Sequence, residues 1–212
     1  MEDYIMFSEI KKHIFSALPL KLSEFNKSET VLVVVDMING FVNEGSLSSP
    51  RIRNIVSDVS KLVSECLEKG IDIIAFADCH KENSVEFENF PVHCLENTRE
   101  SELIDEIKND ISKVIPKNST NGFHAPEFQK FLAENRNIKN FIVCGDCTDI
   151  CVHNFCITLK TYFSQNNIKS RVIVPINAVE TYDGGIHNAE FMNFSALMIM
   201  ETNGIELVKE IE

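Results

Sequence analysis

The stretch Phe141-Ile-Val-Cys-Gly-Asp-Cys-Thr-Asp-Ile-Cys-Val152 decides the fold. Residues 141–144 form a short apolar run that reads as a buried strand, and Gly145 is expected to break it. Thr148 or Asp149 then offers an N-cap for an apolar helix running towards Tyr162. Cys151 falls in the first turn of that helix. Unsatisfied backbone N–H groups and the positive end of the helix dipole favour thiolate over thiol there. A residue just past the carboxyl end of a strand sits where open α/β sheets build their binding crevices. Cys151 is the candidate nucleophile.

Five further apolar runs lie outward from this stretch, at 31–35, 71–77, 111–115, 171–176 and, more weakly, 205–208. Helical spacing separates them. Ile52, Ile55, Val56, Val59, Leu62, Val63 and Cys66 follow one face of a helix that Gly70 should stop. Leu103, Ile104 and Ile107 predict a shorter helix capped by Thr98 or Ser101. Pro126, Phe128, Phe131 and Leu132 predict a third with proline in its first turn. Val152, Phe155, Cys156 and Leu159 mark the fourth, and Phe191, Phe194, Ser195, Leu197 and Met198 the fifth. Strands of continuous Val and Ile are buried on both faces, and their alternation with helices implies parallel βαβ units. The expected fold class is α/β, a three-layer α/β/α domain on a mostly parallel six-stranded sheet.

Residues 1–29 read as an N-terminal helical arm preceding the α/β domain at 30–212. Ile5, Ile10, Ile14 and Leu18 would give the arm one apolar face, with Pro19 ending the helix. Packing on the outside of the domain is favoured over a partner-binding role. At 212 residues the chain is long enough for one domain with a substantial core. A net charge of −12 with no basic cluster argues against nucleic acid or an anionic membrane as partner. No apolar run approaches the ~20 residues of a membrane span, and the acidic N-terminus lacks the features of a signal peptide. Seven cysteines, an odd number, fit reduced thiols in a cytoplasm better than a disulfide framework.

Four chemistry-bearing positions follow predicted strands: Asp36, then Asp78 with His80, then Lys117, then Cys151. In a parallel sheet all carboxyl ends share one edge, so these residues should converge on one crevice. Alone, such an aspartate is commonly a helix cap and such a lysine a solvated charge; their joint placement points to a site. Asp78-x-His80 followed thirteen residues later by His93 supplies a carboxylate and two imidazoles, a three-ligand set with open positions. It suits zinc, iron(II) or manganese.

With these residues in view, the sequence resembles the isochorismatase-like cysteine hydrolases and, within them, the nicotinamidases, from about Val31 to Val208. The motifs that carry the resemblance are Val-Val-Asp36-Met-Ile-Asn-Gly-Phe41, Asp78-Cys-His80, Phe90-Pro-Val-His93-Cys94, Pro116-Lys117-Asn-Ser-Thr-Asn-Gly-Phe123 and Gly145-Asp-Cys-Thr-Asp-Ile-Cys151-Val152. It implies a catalytic triad of Asp36, Lys117 and Cys151, and an oxyanion hole from the backbone N–H groups of Cys147 and Cys151. It also implies a cis peptide between Asp146 and Cys147. Asp78, His80 and His93 would hold one divalent metal, zinc first, with iron or manganese as alternatives. That metal's open position would take the pyridine nitrogen of the substrate. Some relatives add a histidine ligand where this chain offers Ser84 or Glu86, so one of these or a water would complete the set. Phe41 and Phe90 match positions flanking the substrate ring, and Ile150 is a variable wall. The second ring position is often tryptophan in the family, and this chain has none. His187, after Gly184-Gly185, matches a recurrent histidine and reads as structural.

The implied reaction is hydrolysis of nicotinamide to nicotinic acid and ammonia through a thioester on Cys151. The alternative is the same cysteine chemistry on another small amide. A homo-oligomer is the expected assembly. Two other classes are weaker. A thiol–disulfide oxidoreductase would use Cys144-Gly-Asp-Cys147, but Cys144 should be buried, and redox chemistry needs neither Asp36 nor Lys117. A structural zinc site from the cysteines between Cys144 and Cys156 would require one strand, turn and helix to aim four sulfurs at one ion.

Overall fold

The computed structural model describes residues 2–212, with side chains from Ser8 onward. Seven strands are laid down along the chain: β1 (Thr30–Val35), β2 (Asp72–Asp78), β3 (Lys113–Lys117), β4 (Asn140–Asp146), β5 (Arg171–Pro175), the two-residue β6 (Val179–Glu180) and β7 (Glu206–Val208). They form one sheet in the order β3-β2-β1-β4-β5-β7, with β6 pairing β4 beyond the end of β5. Every pairing is parallel. The helices are α1 (Glu2–Phe15), α2 (Asn39–Val42), α3 (Pro50–Asn54), α4 (Val56–Lys69), α5 (Pro126–Glu134), α6 (His153–Gln165) and α7 (Ala189–Thr202).

Side chains alternate across a strand, so a strand buried on both faces feeds two cores. Val31, Val33 and Val35 of β1 join Phe76, Phe141 and Val143 under α5, α6 and α7. Leu32 and Val34 join Ile73, Ala75 and Ile142 under α4. These two clusters are the two interfaces of a three-layer domain. The edge strand β3 buries only alternate residues, and Pro116 is tolerated there because an edge strand can spare a ladder N–H.

Several sequence expectations need correction. The predicted strand at 111–115 forms two residues later, which makes Lys117 its last residue. The predicted helix around Leu103, Ile104 and Ile107 is absent. All three side chains are buried, but the backbone of 102–104 is already engaged: Glu102 O accepts from Asn39 N, and Ile104 N donates to Met37 O. Gly145 does not break β4. It takes a positive φ of 113° and continues the strand, pairing with Val35 and Val179. Neither Thr148 nor Asp149 caps α6. A π-helical turn, Thr148–Val152, precedes that helix with no side-chain cap. At the N-terminus α1 ends at Phe15, before Pro19, and Leu18 is exposed beyond it. Ile5 lies outside the described side chains. Ile14 is buried in the α7-side core, and the backbone of Leu20 and Leu22 pairs with Glu210 and Glu212.

Two glycines test this backbone. A Cβ on Gly145 would fall far inside van der Waals contact with the Val35 carbonyl oxygen, in a positive-φ conformation. Gly70 ends α4 at φ 74° and would meet only the end of the flexible Lys27 side chain. Gly145→Ala should therefore destabilise by about 3 kcal/mol or more, and Gly70→Ala by about 1 kcal/mol. Urea unfolding midpoints read the difference.

Candidate active site

The sheet changes direction between β1 and β4, whose connections leave to opposite sides, and a crevice opens at the carboxyl ends there. Asp36 follows β1 in a left-handed conformation, φ 53°, which turns the chain out of the sheet. Aspartate accepts this backbone more readily than most residues. Its Oδ1 accepts from Asp78 N at 3.1 Å, which ties the end of β1 to that of β2. Lys117 Nζ lies 2.8 Å from Asp36 Oδ2, 2.5 Å from Asp78 Oδ1 and 3.5 Å from Cys151 Sγ, and donates to Ser119 O at 3.2 Å. The structure thus brings Asp36, Lys117 and Cys151 together, all buried.

The electrostatics follow from that burial. Desolvation opposes the Lys117 ammonium, yet Asp36 and Asp78 hold its pKa well above the usual lysine value. Burial raises Asp36 to about 6, against the pull of Lys117. Burial would also raise Asp78, but Lys117 and the two histidines hold it well below the ordinary carboxylate range. Burial pushes the Cys151 thiol up, and nearby Asp36 and Asp78 add to the rise while Lys117 opposes it. This reverses the expectation of a depressed thiol pKa. Cys151 sits in the π-helical turn before α6 rather than in that helix's first turn, and desolvation outweighs the pull of Lys117. Burial therefore favours the thiol form of Cys151 over the thiolate.

On the far side of Asp78 is a second cluster. Asp78, His80, Glu86 and His93 each present one ligand atom, all within 4.8 Å of one another. His80 Nε2 is 3.5 Å from Asp78 Oδ1 and 3.9 Å from Glu86 Oε1; His93 Nε2 is 3.8 Å from Asp78 Oδ2. The Nδ1 atoms face carbonyl oxygens, Asn118 Oδ1 for His80 and Pro91 O for His93, each at 2.8 Å. Each Nδ1 is therefore the donor, and each Nε2 lone pair faces the shared centre. His80 Nε2 is buried and makes no hydrogen bond. Two carboxylates and two such nitrogens fit a divalent cation. Of the two candidates for a further ligand, Glu86 belongs to the cluster. Ser84 instead faces His80 Nδ1 and donates to Asn118.

One pocket joins these groups. Phe41, Phe90 and Ile150 line it together with Asp78, Glu86, His93, Cys147 and Cys151. Leu47, Thr120, Asp146 and Tyr182 also line it, and the sequence reading missed them. Asp146 is fully buried, and its Oδ2 makes no hydrogen bond. Burial, reinforced by Asp36, raises its pKa well above the ordinary carboxylate value. Its place in the quoted Gly-Asp-Cys stretch was the available signal. The Asp146–Cys147 peptide is cis. Among the described residues no helix is long and apolar enough to cross a membrane.

A parallel α/β sheet with its polar groups gathered at one carboxyl edge defines the class, and comparison with known proteins defines the family. The isochorismatase domain pattern matches residues 30–204, and the chain belongs to the isochorismatase family of hydrolases. It is 28% identical over 245 residues to Nicotinamidase 1 of Arabidopsis thaliana, spanning 97% of this chain and 96% of that protein. The pyrazinamidase of Pyrococcus horikoshii, solved in complex with zinc, is 27% identical with a TM-score of 0.70. That match covers 85% of this chain and 99% of the other. N-carbamoylsarcosine amidase from Thermoplasma acidophilum shares the fold, with a TM-score of 0.71 at 24% identity over 85% of this chain and 96% of its own.

The carbonyl behind His80 provides a test of the metal cluster. Asn118→Ala leaves every candidate ligand in place but frees the His80 ring. Loss of such an orienting partner typically costs ~10–100-fold in metal affinity. Competition against a chromogenic chelator should show that loss for zinc.

Proposed function

We propose that this chain is a cysteine amidase with a metal-assisted pocket, hydrolysing nicotinamide to nicotinic acid and ammonia through a thioester on Cys151. The observation that carries the reading is the shared carboxylate: Asp78 touches Lys117 of the Asp36–Lys117–Cys151 group and both histidines of the second cluster. The relatives named nicotinamidase and pyrazinamidase support the choice of substrate.

The residues divide the work as follows. Asp36 is ionised at neutral pH, lies within 4.8 Å of Cys151 Sγ, and takes the thiol proton as sulfur attacks the amide carbon. Lys117 stays charged 3.5 Å from Sγ and stabilises the sulfur as it ionises. Backbone N–H groups of Cys147 and Cys151 stabilise the oxyanion. Asp36 returns the proton to the leaving nitrogen, and ammonia departs. A water then loses its proton to Asp36, adds to the thioester and releases the acid as Cys151 regains its hydrogen. Asp78, His80, His93 and Glu86 would hold a divalent ion, with zinc the first candidate and iron or manganese the others, which would supply Lewis acidity towards a ring nitrogen. Phe41 and Phe90 flank the ring, and Ile150 closes the wall beside the nucleophile.

A second reading keeps this chemistry on another small amide. Asp146 favours it, because its Oδ2, buried in the pocket wall without a hydrogen bond, has no evident partner on a nicotinamide ring.

Ammonia release from nicotinamide, with and without chelator, tests the reading. Cys151→Ala should abolish turnover, and Asp36→Asn should lower kcat by ~10²–10⁴-fold. Substantial activity in Cys151→Ala would sink the mechanism. Activity towards other amides but not nicotinamide would support the second reading.

A further inference from the structure

The chain from Thr181 to Asn188 is a hairpin loop at the rim of the pocket, closed by mutual backbone hydrogen bonds between Gly184 and His187. Tyr182 lines the pocket with Cys147, Ile150 and Cys151. The His187 ring stacks on it, with centroids 4.0 Å apart and planes 3° from parallel. His187 Nδ1 is 2.9 Å from the Tyr182 carbonyl oxygen, and Nε2 is 2.8 Å from Asp149 Oδ2. Both partners are acceptors, so the two contacts coexist when both ring nitrogens carry hydrogen.

Asp149 belongs to the π-helical turn that carries Cys151, two residues before it, and that turn has no side-chain cap. Its carboxylate is 5% exposed and the imidazole 15%, so water competes little for the bond. The other carboxylate oxygen, Oδ1, is buried without a hydrogen bond. The loop's remaining polar anchors run elsewhere. Asp183 Oδ1 accepts from Ala189 N at the start of α7, and Arg51 Nη1 of α3 lies 3.7 Å from Asp183 Oδ2.

We propose that His187 is a positioning residue, which sets the Tyr182 wall of the pocket against the turn that carries Cys151 by bridging Tyr182 and Asp149. The proposal rests on reading Cys151 as the nucleophile, but not on which amide is cleaved. A histidine serving only to close the hairpin would not need Asp149. A wall displaced by about 1 Å from a reacting centre can cost ~10²-fold in rate, so the link has functional weight.

The test is a double-mutant cycle on His187→Ala and Asp149→Ala, with Asp149→Asn as the variant that keeps an acceptor oxygen. Two readouts are taken: kcat and KM on nicotinamide, and the rate of Cys151 alkylation by an aryl maleimide relative to iodoacetamide, by mass spectrometry. Each alanine variant should lose about tenfold in kcat/KM, with KM raised, and should shift the alkylation ratio severalfold. The double variant should lose no more than the worse single, because both remove the same link. Asp149→Asn should recover most of the loss. Thermal melts confirm folding, and His187→Gln, which fills the space without reaching both partners, replaces an alanine variant that fails to fold. Additive losses, or wild-type values of both readouts in a folded His187→Ala, overturn the proposal. If the wild-type protein leaves nicotinamide intact, the substrate reading fails while the alkylation cycle still decides the role of His187.

Discussion

A lysine ammonium buried between two carboxylates is the constraint on which this site depends. Lys117 is 3% exposed, and removing such a charge from water costs several kcal/mol unless partners replace the solvent. Asp36 and Asp78 are those partners. One ammonium and two carboxylates leave an excess negative charge in a dry interior, and, against desolvation, Asp78 and Glu86 raise the pKa of His80 beside it. A divalent cation at the Asp78, His80, Glu86 and His93 cluster would offset that excess. Asp78 is thus a hinge in the electrostatics: one oxygen faces Lys117 and the other His93. The two clusters are not independent, because the Asp78 carboxylate that faces both histidines also holds the lysine beside Cys151.

The sheet makes this arrangement possible at low cost. Parallel strands end on a common edge, so four successive strands deliver Asp36, Asp78, Lys117 and the turn around Cys151 to one crevice. The cores on both faces are apolar, and the charged groups meet only where the ladders stop. Register matters here. Val35 pairs with Gly145 and Asp78 with Lys117, so a slip of one residue would turn the reacting groups towards the wrong face.

The strands were legible because continuous Val and Ile runs have few other uses, and the convergence of Asp36, Lys117 and Cys151 followed from parallel topology. Four features were not. The 103–107 segment has helical spacing, but Ile104 N donates to Met37 O and the adjoining Glu102 O accepts from Asn39 N, a long-range choice that no local pattern encodes. Gly145 looked like a strand terminator, yet its lack of a Cβ is what lets β4 pass close to Val35. The cysteine pKa was read from the helix end alone, whereas complete burial and two nearby carboxylates decide its direction. Tyr182 and Asp146 reach the pocket through tertiary packing, and periodicity carries no sign of that.

That last reversal changes how the proposed chemistry must be timed. A thiolate prepared in advance would need a site that stabilises negative charge in the resting state. Here burial, with Asp36 and Asp78 adding to it against the pull of Lys117, disfavours a third anion on sulfur while no cation sits at Asp78. Asp36, raised towards neutrality by the same burial, is a better base than an exposed aspartate and lies close to the thiol. Moving the proton from sulfur to Asp36 keeps the count of negative charges constant, so the low-dielectric interior that suppresses the free thiolate does not oppose the transfer itself. Burial therefore couples ionisation of Cys151 to protonation of Asp36, and Asp36 then holds the proton that the departing nitrogen requires.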